Sequence, residues 1–413
     1  MDAGKSIETC LKFWPDVKVD PFPFHLALMY SKELELALKR GLSLTSAALT
    51  RDRIVDRTSQ TPLGARHRFF DFNEIPLTKK EDIVRSPSSY VNKSLIDDNI
   101  TVKFTSGSTG PGLAVLYSGH FYVEELFLSV PRILRAWGVE DFSGTLTLNI
   151  SDSNHRRGSI AVCPDRRIGV QLDLPIDFRS KTEIQKLIHF VQAWKPRVIS
   201  SRPELLELIC AVGLDAALHA TADWVISGGS YLTIERRRRI GSYFSAPVID
   251  VYASTECGIV AWDRPGPNYL VVDQSRHFVE LRDGNIVITT IDNLVMPFLR
   301  YLTGDRGQLT FNNDIGIKLD PDRNVPLFND KHGQPFVPIF VKNALNKLGI
   351  WSFTLIQETA GTMSIVVPED VGRNEVERTV LSSLASSEAS EEIIVDCHVE
   401  IASVSGFQFI GPS

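Results

Sequence analysis

The sequence is short of cysteine, of long apolar runs and of net positive charge, and each shortage closes off a class of protein. Five cysteines, Cys10, Cys163, Cys210, Cys257 and Cys397, are scattered over 413 residues. None sits in a C-x-x-C pair, so neither a disulfide framework nor a zinc knuckle is indicated. Each reads first as a small buried hydrophobe, in a reducing, cytoplasmic setting. No apolar run approaches the ~20 residues of a membrane span. The opening MDAGKSIETCLKFWPD has no apolar core of the signal-peptide kind. A formal net charge of −6 gives no field to attract nucleic acid. Internal repeats and low-complexity tracts are absent.

What remains is a soluble globular composition, 43% hydrophobic and 23% charged, on a chain long enough for two or three domains. Residues 1 to 60 read mainly as helix. SKELELALKRGLS sets Leu34, Ala37 and Leu38 at helical spacing, with Gly41 able to end the element. Thr78, with Glu81 three residues on, has the form of a capping box. FYVEELFLSVPRILRAWG (121–138) predicts a buried helix stopped at Gly138, with Pro131 kinking or breaking it. From about 140 to 256 strand and helix alternate, which argues for an α/β layered core on a largely parallel sheet. After 268 the pattern changes to strand pairs, with Gly284-Asn285 as a hairpin turn. DPDRNVPLFNDKHGQP (320–335) reads as a linker or hinge, and a small α+β unit follows it.

Four short segments carry the chemistry. In TVKFTSGSTGPGLAV (101–115) an extended run gives way to hydroxyls and glycines. Gly107 and Gly110 let the backbone approach a ligand. The hydroxyls of Thr105, Ser106, Ser108 and Thr109 and the loop N–H groups can donate to anionic oxygens. No Lys follows Gly110, so the loop is not a Walker motif, nor is it G-x-G-x-x-G. Taken alone it is as much a turn between two strands as a phosphate cradle. Gly228-Gly229-Ser230 ends an apolar run and, alone, reads better as a strand-to-helix turn. Tyr252-Ala253-Ser254-Thr255-Glu256 follows the strand APVID, and ligands of open α/β sheets bind outside strand carboxyl ends. A loop with a buried Tyr and a surface Glu is the plain alternative. Tyr301-Leu302-Thr303-Gly304-Asp305 closes the hairpin region, where an Asp after Gly usually bonds its own backbone.

The order TSGSTG (105–110), GGS (228–230), YASTE (252–256), YLTGD (301–305) and a C-terminal unit resembles the adenylate-forming superfamily of acyl- and aryl-CoA ligases. IPLTKKEDI (75–83) and GQPFVPIFVKNAL (333–345) are similar to its phenylacetate–CoA ligase branch. The resemblance implies an α/β fold with a large ATP- and acyl-binding domain (1–325) of layered sheets and helices, and a small mobile α+β domain (326–413). It implies that Thr105, Ser106, Gly107, Ser108, Thr109 and Gly110 hold the β- and γ-phosphates of ATP. Gly228, Gly229 and Ser230 would line the adenine and acyl pocket, with Gly229 and Cys257 towards the acid. Tyr252 would pack on adenine, Thr255 meet the α-phosphate and Glu256 bind Mg2+. Asp305 would take the ribose hydroxyls, with Arg323 assisting.

The resemblance also implies the reaction. A small carboxylic acid, aromatic in this branch, attacks the α-phosphorus and pyrophosphate leaves. The acyl group then passes to CoA or a carrier thiol, in aromatic degradation or antibiotic biosynthesis of the phenazine type. A homodimer is compatible with it. No nucleic acid or membrane enters as a partner.

This sequence departs from the family at the C-terminal Lys, since no Lys follows Lys347 and Phe407 stands after Gly406. That points to slow adenylation, with Lys331 as a substitute cation, or to a binding protein that holds nucleotide without reacting it. An acyl-protein synthetase is a third reading. His155, Arg156 and Arg157 read as solvated loop charges, or as counter-ions for an acid with a second anionic group. Arg236 to Arg239 read as a solvated helix face.

Overall fold

The computed structural model describes residues 3–39, 50–105, 112–141, 144–152, 157–165, 169–312, 314–321, 326–338, 341–342, 344–345, 348, 350, 353–367, 372–384, 396–401 and 407–410. The chain opens with α1 (Ala3–Phe13), the short strand β1 (Lys18–Val19), α2 (Pro21–Met29), α3 (Ser31–Lys39) and α4 (Arg51–Thr58). Asp20 caps α2 by accepting from Phe22 N at 3.0 Å, and Pro21 fills the first turn, where no N–H is missed. Helix α5 (Lys80–Arg85) corrects the capping-box expectation. Its cap is Lys79, whose N–H donates to Asp82 Oδ2 at 3.2 Å. Thr78 instead bridges to Tyr301, with its N–H on Arg300 O at 3.0 Å and its O accepting from Leu302 N at 2.9 Å. Two backbone bonds in a buried setting outweigh one exposed side-chain cap.

A hairpin of β2 (Thr101–Phe104) and β3 (Ala114–Tyr117) carries the TSGSTG loop and leads into α6 (Gly119–Ala136). Pro131 lies inside α6, which continues to Ala136, so the helix is not broken there. The proline removes a single intrahelical bond, while Phe127, Leu128, Val130, Ile133 and Leu134 are buried on both sides of it. Gly138, at φ +82°, follows the helix end.

The alternating region builds β4 (Leu146–Asp152), β5 (Ser159–Val162), β6 (Val170–Ile176), α7 (Lys181–Trp194), β7 (Val198–Ser201), α8 (Pro203–Asp215), β8 (Trp224–Gly228), α9 (Ile234–Phe244) and β9 (Val248–Ser254). Strands β6, β4, β7, β8 and β9 are neighbours and all parallel. Consecutive side chains point to opposite faces. Ile199, Val225 and Val248 therefore join the core under α7, α8 and α9, while Val198, Ile226 and Ile249 pack with Ile133 and Leu134 of α6. Cover on both faces explains the near-continuous apolar strands.

Beyond β9 the sheet turns antiparallel through β10 (Gly258–Trp262), β11 (Leu270–Val272), β12 (His277–Arg282), β13 (Asn285–Thr290), β14 (Phe298–Phe311) and β15 (Ile315–Leu319). The full order is β1-β5-β6-β4-β7-β8-β9-β10-β11-β15-β14-β13-β12. The β12–β13 turn is Asp283-Gly284, at φ +52° and +77°, with Arg282 paired to Asn285. That is one residue earlier than expected, because a two-residue turn with both φ positive matches strand twist.

The C-terminal part contains β16 (Phe328–Asn329), β17 (Pro335–Phe336), β18 (Phe353–Thr359), β19 (Thr362–Val367), α10 (Arg373–Leu384), β20 (Asp396–Ile401) and β21 (Phe407–Ile410), with sheet order β20-β19-β18-β21. Strand β21 was not foreseen; it carries Phe407 alongside Phe353. The linker reading of 320–335 needs correction in its second half. Strands β16 and β17 pair, and Asp330 Oδ1 accepts from His332 N and Gln334 N, both at 2.8 Å. Buried Gln357 accepts from Asn329 N at 2.6 Å and donates to Asn329 O at 2.7 Å. Phe328 and Phe336 join the C-terminal core, while the next residue, Val337, joins the core beneath the parallel sheet.

One buried ion pair stands out in β14. Arg300, 5% exposed, has φ +45° in a strand. Its Nε donates to Glu280 Oε1 at 2.7 Å and its Nη1 to Ile75 O at 2.6 Å. Glu280→Ala would strand the guanidinium, and removing one partner of a buried pair costs about 3–5 kcal/mol. Urea unfolding should show a loss of about 3 kcal/mol; under about 1 kcal/mol would mean the pair is dispensable.

Candidate active site

The site forms where the parallel half of the sheet meets the antiparallel half. Gly228 ends β8, and Gly229 turns the chain at φ +88°, a conformation glycine takes without a Cβ penalty. Below the turn, the Ser230 hydroxyl bonds the carboxylate of fully buried Glu204, which has Arg202 Nε 2.7 Å away on its other oxygen. Next door, β9 ends at Ser254. The following turn is held by Tyr117 Oη donating to Thr255 O at 2.6 Å and Cys257 N donating to Ser254 Oγ at 3.1 Å. Gly258 then adopts φ +74°, and a Cβ there would lie 2.6 Å from the Glu125 carboxyl carbon. Glu125 uses that closeness to accept from Ile259 N at 3.0 Å and to pair with buried Arg276.

Two tyrosines join the YASTE and YLTGD segments. Tyr252 Oη donates to Asp305 Oδ2 at 2.8 Å, and Tyr301 Oη donates to Glu256 Oε1 at 2.9 Å. Burial first, and then the neighbouring carboxylate, pushes both phenols above their ordinary range, so both stay donors. Thr303 Oγ1 accepts from Asp305 N at 3.1 Å and donates to Ile286 O at 3.0 Å, which seats Asp305.

These segments border a cavity of about 580 Å³, within the range of small-molecule sites. Tyr231, Tyr252 and Tyr269 supply aromatic wall, and Asp250, Asp305 and Lys318 supply charge. Of the residues expected from sequence, Gly229, Ser230, Tyr252 and Asp305 lie on this wall. Thr255 and Glu256 are in the adjoining turn. Thr105 stands at the neck of its loop, its Oγ1 accepting from Leu113 N at 2.8 Å. Ser106, Gly107, Ser108, Thr109, Gly110, His155, Arg156 and Arg323 lie outside the described residues. Arg157 is exposed. Cys257 is fully buried in the core around Tyr117 and Val260, with its thiol pushed up by burial and then by the Glu256 charge; it is not on the cavity wall. Lys331 is exposed on the β16–β17 turn, its stem against Gly361.

Among the described residues no three His, Cys, Asp or Glu side chains gather around a metal position.

Sequence reasoning missed Asp250 and Lys318. Asp250 had a signal: a carboxylate inside the apolar run VIDVY, two residues before Tyr252 and so on the same strand face. Burial, opposed by Arg237 and reinforced by Asp263, pushes its pKa up to about 7. Its backbone N–H donates to Asp263 Oδ1 at 3.0 Å.

The AMP-binding enzyme family model matches residues 45–276, more than half of the chain. The chain belongs to that family. It is similar in structure to 2-hydroxyisobutyryl-CoA ligase in complex with 2-HIB-AMP and CoA in the thioesterification state, at TM-score 0.58 and 16% identity over 89% of this chain and 91% of that one. Against the same ligase in the postadenylation state with R3-HIB-AMP, the TM-score is 0.53 at 16% identity, over 90% and 88%. At such identities the likeness is one of fold, the fold of adenylate-forming enzymes. No curated protein sequence matches the chain. Family and fold together make it an adenylate-forming ligase.

Asp250 sets a pH dependence. Its folded pKa, about 7, stands above the ordinary carboxylate value of 3.8, so the folded state binds more protons between those values. Stability is then present at low pH and lost as pH rises through about 7. Asp250→Asn should flatten the fall of Tm between pH 5 and pH 8 and leave the variant more stable than wild type at pH 8, by on the order of 1 kcal/mol or more. An unchanged slope would show that Asp250 is ionised throughout.

Proposed function

We propose that this ligase activates a small aromatic carboxylic acid with ATP as its acyl-adenylate, releases pyrophosphate, and passes the acyl group to CoA or another thiol. The observation that carries the reading is the crossed pair of tyrosine–carboxylate bonds, which holds Asp305 on the cavity wall and Glu256 in the adjoining turn. Tyr252 offers a ring face to the base and Asp305 two acceptors to a ribose diol. The Thr255 segment and the TSGSTG loop supply hydroxyl and N–H donors for phosphate oxygens. Glu256 would hold Mg2+, which when bound neutralises phosphate charge. The protein's own work is to position the acid carboxylate in line with the α-phosphorus and to stabilise developing charge, with no protein nucleophile. The solved 2-hydroxyisobutyryl-CoA ligase complexes with acyl-AMP and CoA support the two-stage order.

The unit from 326 to 413 is proposed as a mobile domain that swings about residues near 320–327 and 337. Asp330 to Gln334 would travel with it and carry Lys331 as its cation.

Glu256→Gln removes the hard oxygen that Mg2+ needs and should abolish acid-dependent pyrophosphate release while Tm stays near wild type. Full turnover in that variant sinks the assignment. Lys331→Ala should slow adenylation by about 10²-fold, the effect of a single charge-stabilising donor. An unchanged rate would discard Lys331 as the substitute cation.

A further inference from the structure

Tyr252 and Glu256 are four residues apart, and so are Tyr301 and Asp305. The hydrogen bonds ignore that pairing and exchange partners: Tyr252 serves Asp305, and Tyr301 serves Glu256. The strands involved are not neighbours, since β10, β11 and β15 lie between β9 and β14. Tyr301 is itself fixed on three sides. Its backbone bridges to Thr78. Its ring meets Phe298 edge-on at 5.1 Å between centroids. It directly follows Arg300, whose positive φ is locked by Glu280 and Ile75 O. Both site carboxylates thus depend on a phenol from the other segment.

We infer that Tyr301 and Tyr252 are crossed positioning residues, Tyr301 tying down one oxygen of Glu256 so that it meets a cation through the other oxygen alone, and Tyr252 orienting Asp305. The inference rests on the proposed Mg2+ role of Glu256. Oε1 of Glu256 accepts from Tyr301, and Oε2 has no hydrogen bond among the described residues. One oxygen engaged by a phenol favours monodentate approach of a cation through the other. That suits Mg2+, which demands a tight octahedral shell, whereas Ca2+ accepts bidentate carboxylates and a looser one. Tyr301 therefore acts on ion choice as well as on ion affinity. A merely structural tyrosine would affect both ions alike.

The test is calorimetric, on the full chain with ATP and no acid, so that no turnover enters. Affinities for Mg·ATP and Ca·ATP are measured for wild type, Tyr301→Phe, Tyr252→Phe and Glu256→Gln. Tyr301→Phe keeps the ring and should weaken Mg·ATP by about tenfold, the lower end for loss of a partner to a metal ligand, while Ca·ATP holds or tightens. Tyr252→Phe should weaken both complexes equally. Equal weakening of both ions in Tyr301→Phe, or no change in either, overturns the inference. If Tyr301→Phe does not fold, Tyr301→His, which keeps a ring donor, is measured instead and should retain most of the Mg2+ preference; loss of that preference overturns the inference as well. Glu256→Gln separates the two levels. If it leaves Mg·ATP affinity intact, the metal assignment itself is wrong. If it removes that affinity while the Tyr301→Phe ion ratio is unmoved, only the positioning role fails.

Discussion

The buried Arg300–Glu280 pair is the constraint on which the site rests. A guanidinium this deep can be tolerated only with its charge matched and its N–H groups bonded, and Glu280, Ile75 O and the Phe72 ring at 5.0 Å meet those demands. In doing so they hold a non-glycine residue at positive φ within a strand, a strained state that persists only where surroundings over-determine it. The register of β13 against β14 shifts at this point, between Ile288 and Thr290. That shift settles which face Tyr301 presents, and through it the position of Glu256 on a separate strand.

The location of the cavity follows from topology. Five parallel strands deliver their carboxyl ends to one edge, and the cavity borders the point where the next strands, β10 and beyond, run the other way. Each half contributes one side of the wall: Asp250 and Tyr252 from the last parallel strand, Tyr269, Asp305 and Lys318 from the antiparallel part.

Much of this was legible in the sequence because the signals were local. The alternation from 140 to 256 and the turn after β8 each depend on residues within one or two elements. The misreadings share the opposite character. Thr78 looks like a helix cap until a distant strand claims its backbone. Pro131 reads as a kink or a break until buried packing on both sides holds the helix through it. Asp250 was hidden in an apolar strand, and its meaning depends on Arg237 and Asp263 from other elements. The crossing of Tyr252 and Tyr301 has no sequence signature, since each motif would read the same with the bonds uncrossed.

Phe336 and Val337 are consecutive in the chain yet belong to different cores. An extended backbone sends neighbouring side chains to opposite sides, so a single peptide unit stitches the two cores together. Each side chain is committed to its own core, which fixes the register of this stretch. A substitution at either position empties one core only. A one-residue insertion or deletion just upstream would turn both side chains over together, presenting each core with the wrong partner. The chain is therefore unforgiving of length changes at a place whose composition suggests an ordinary, accommodating linker.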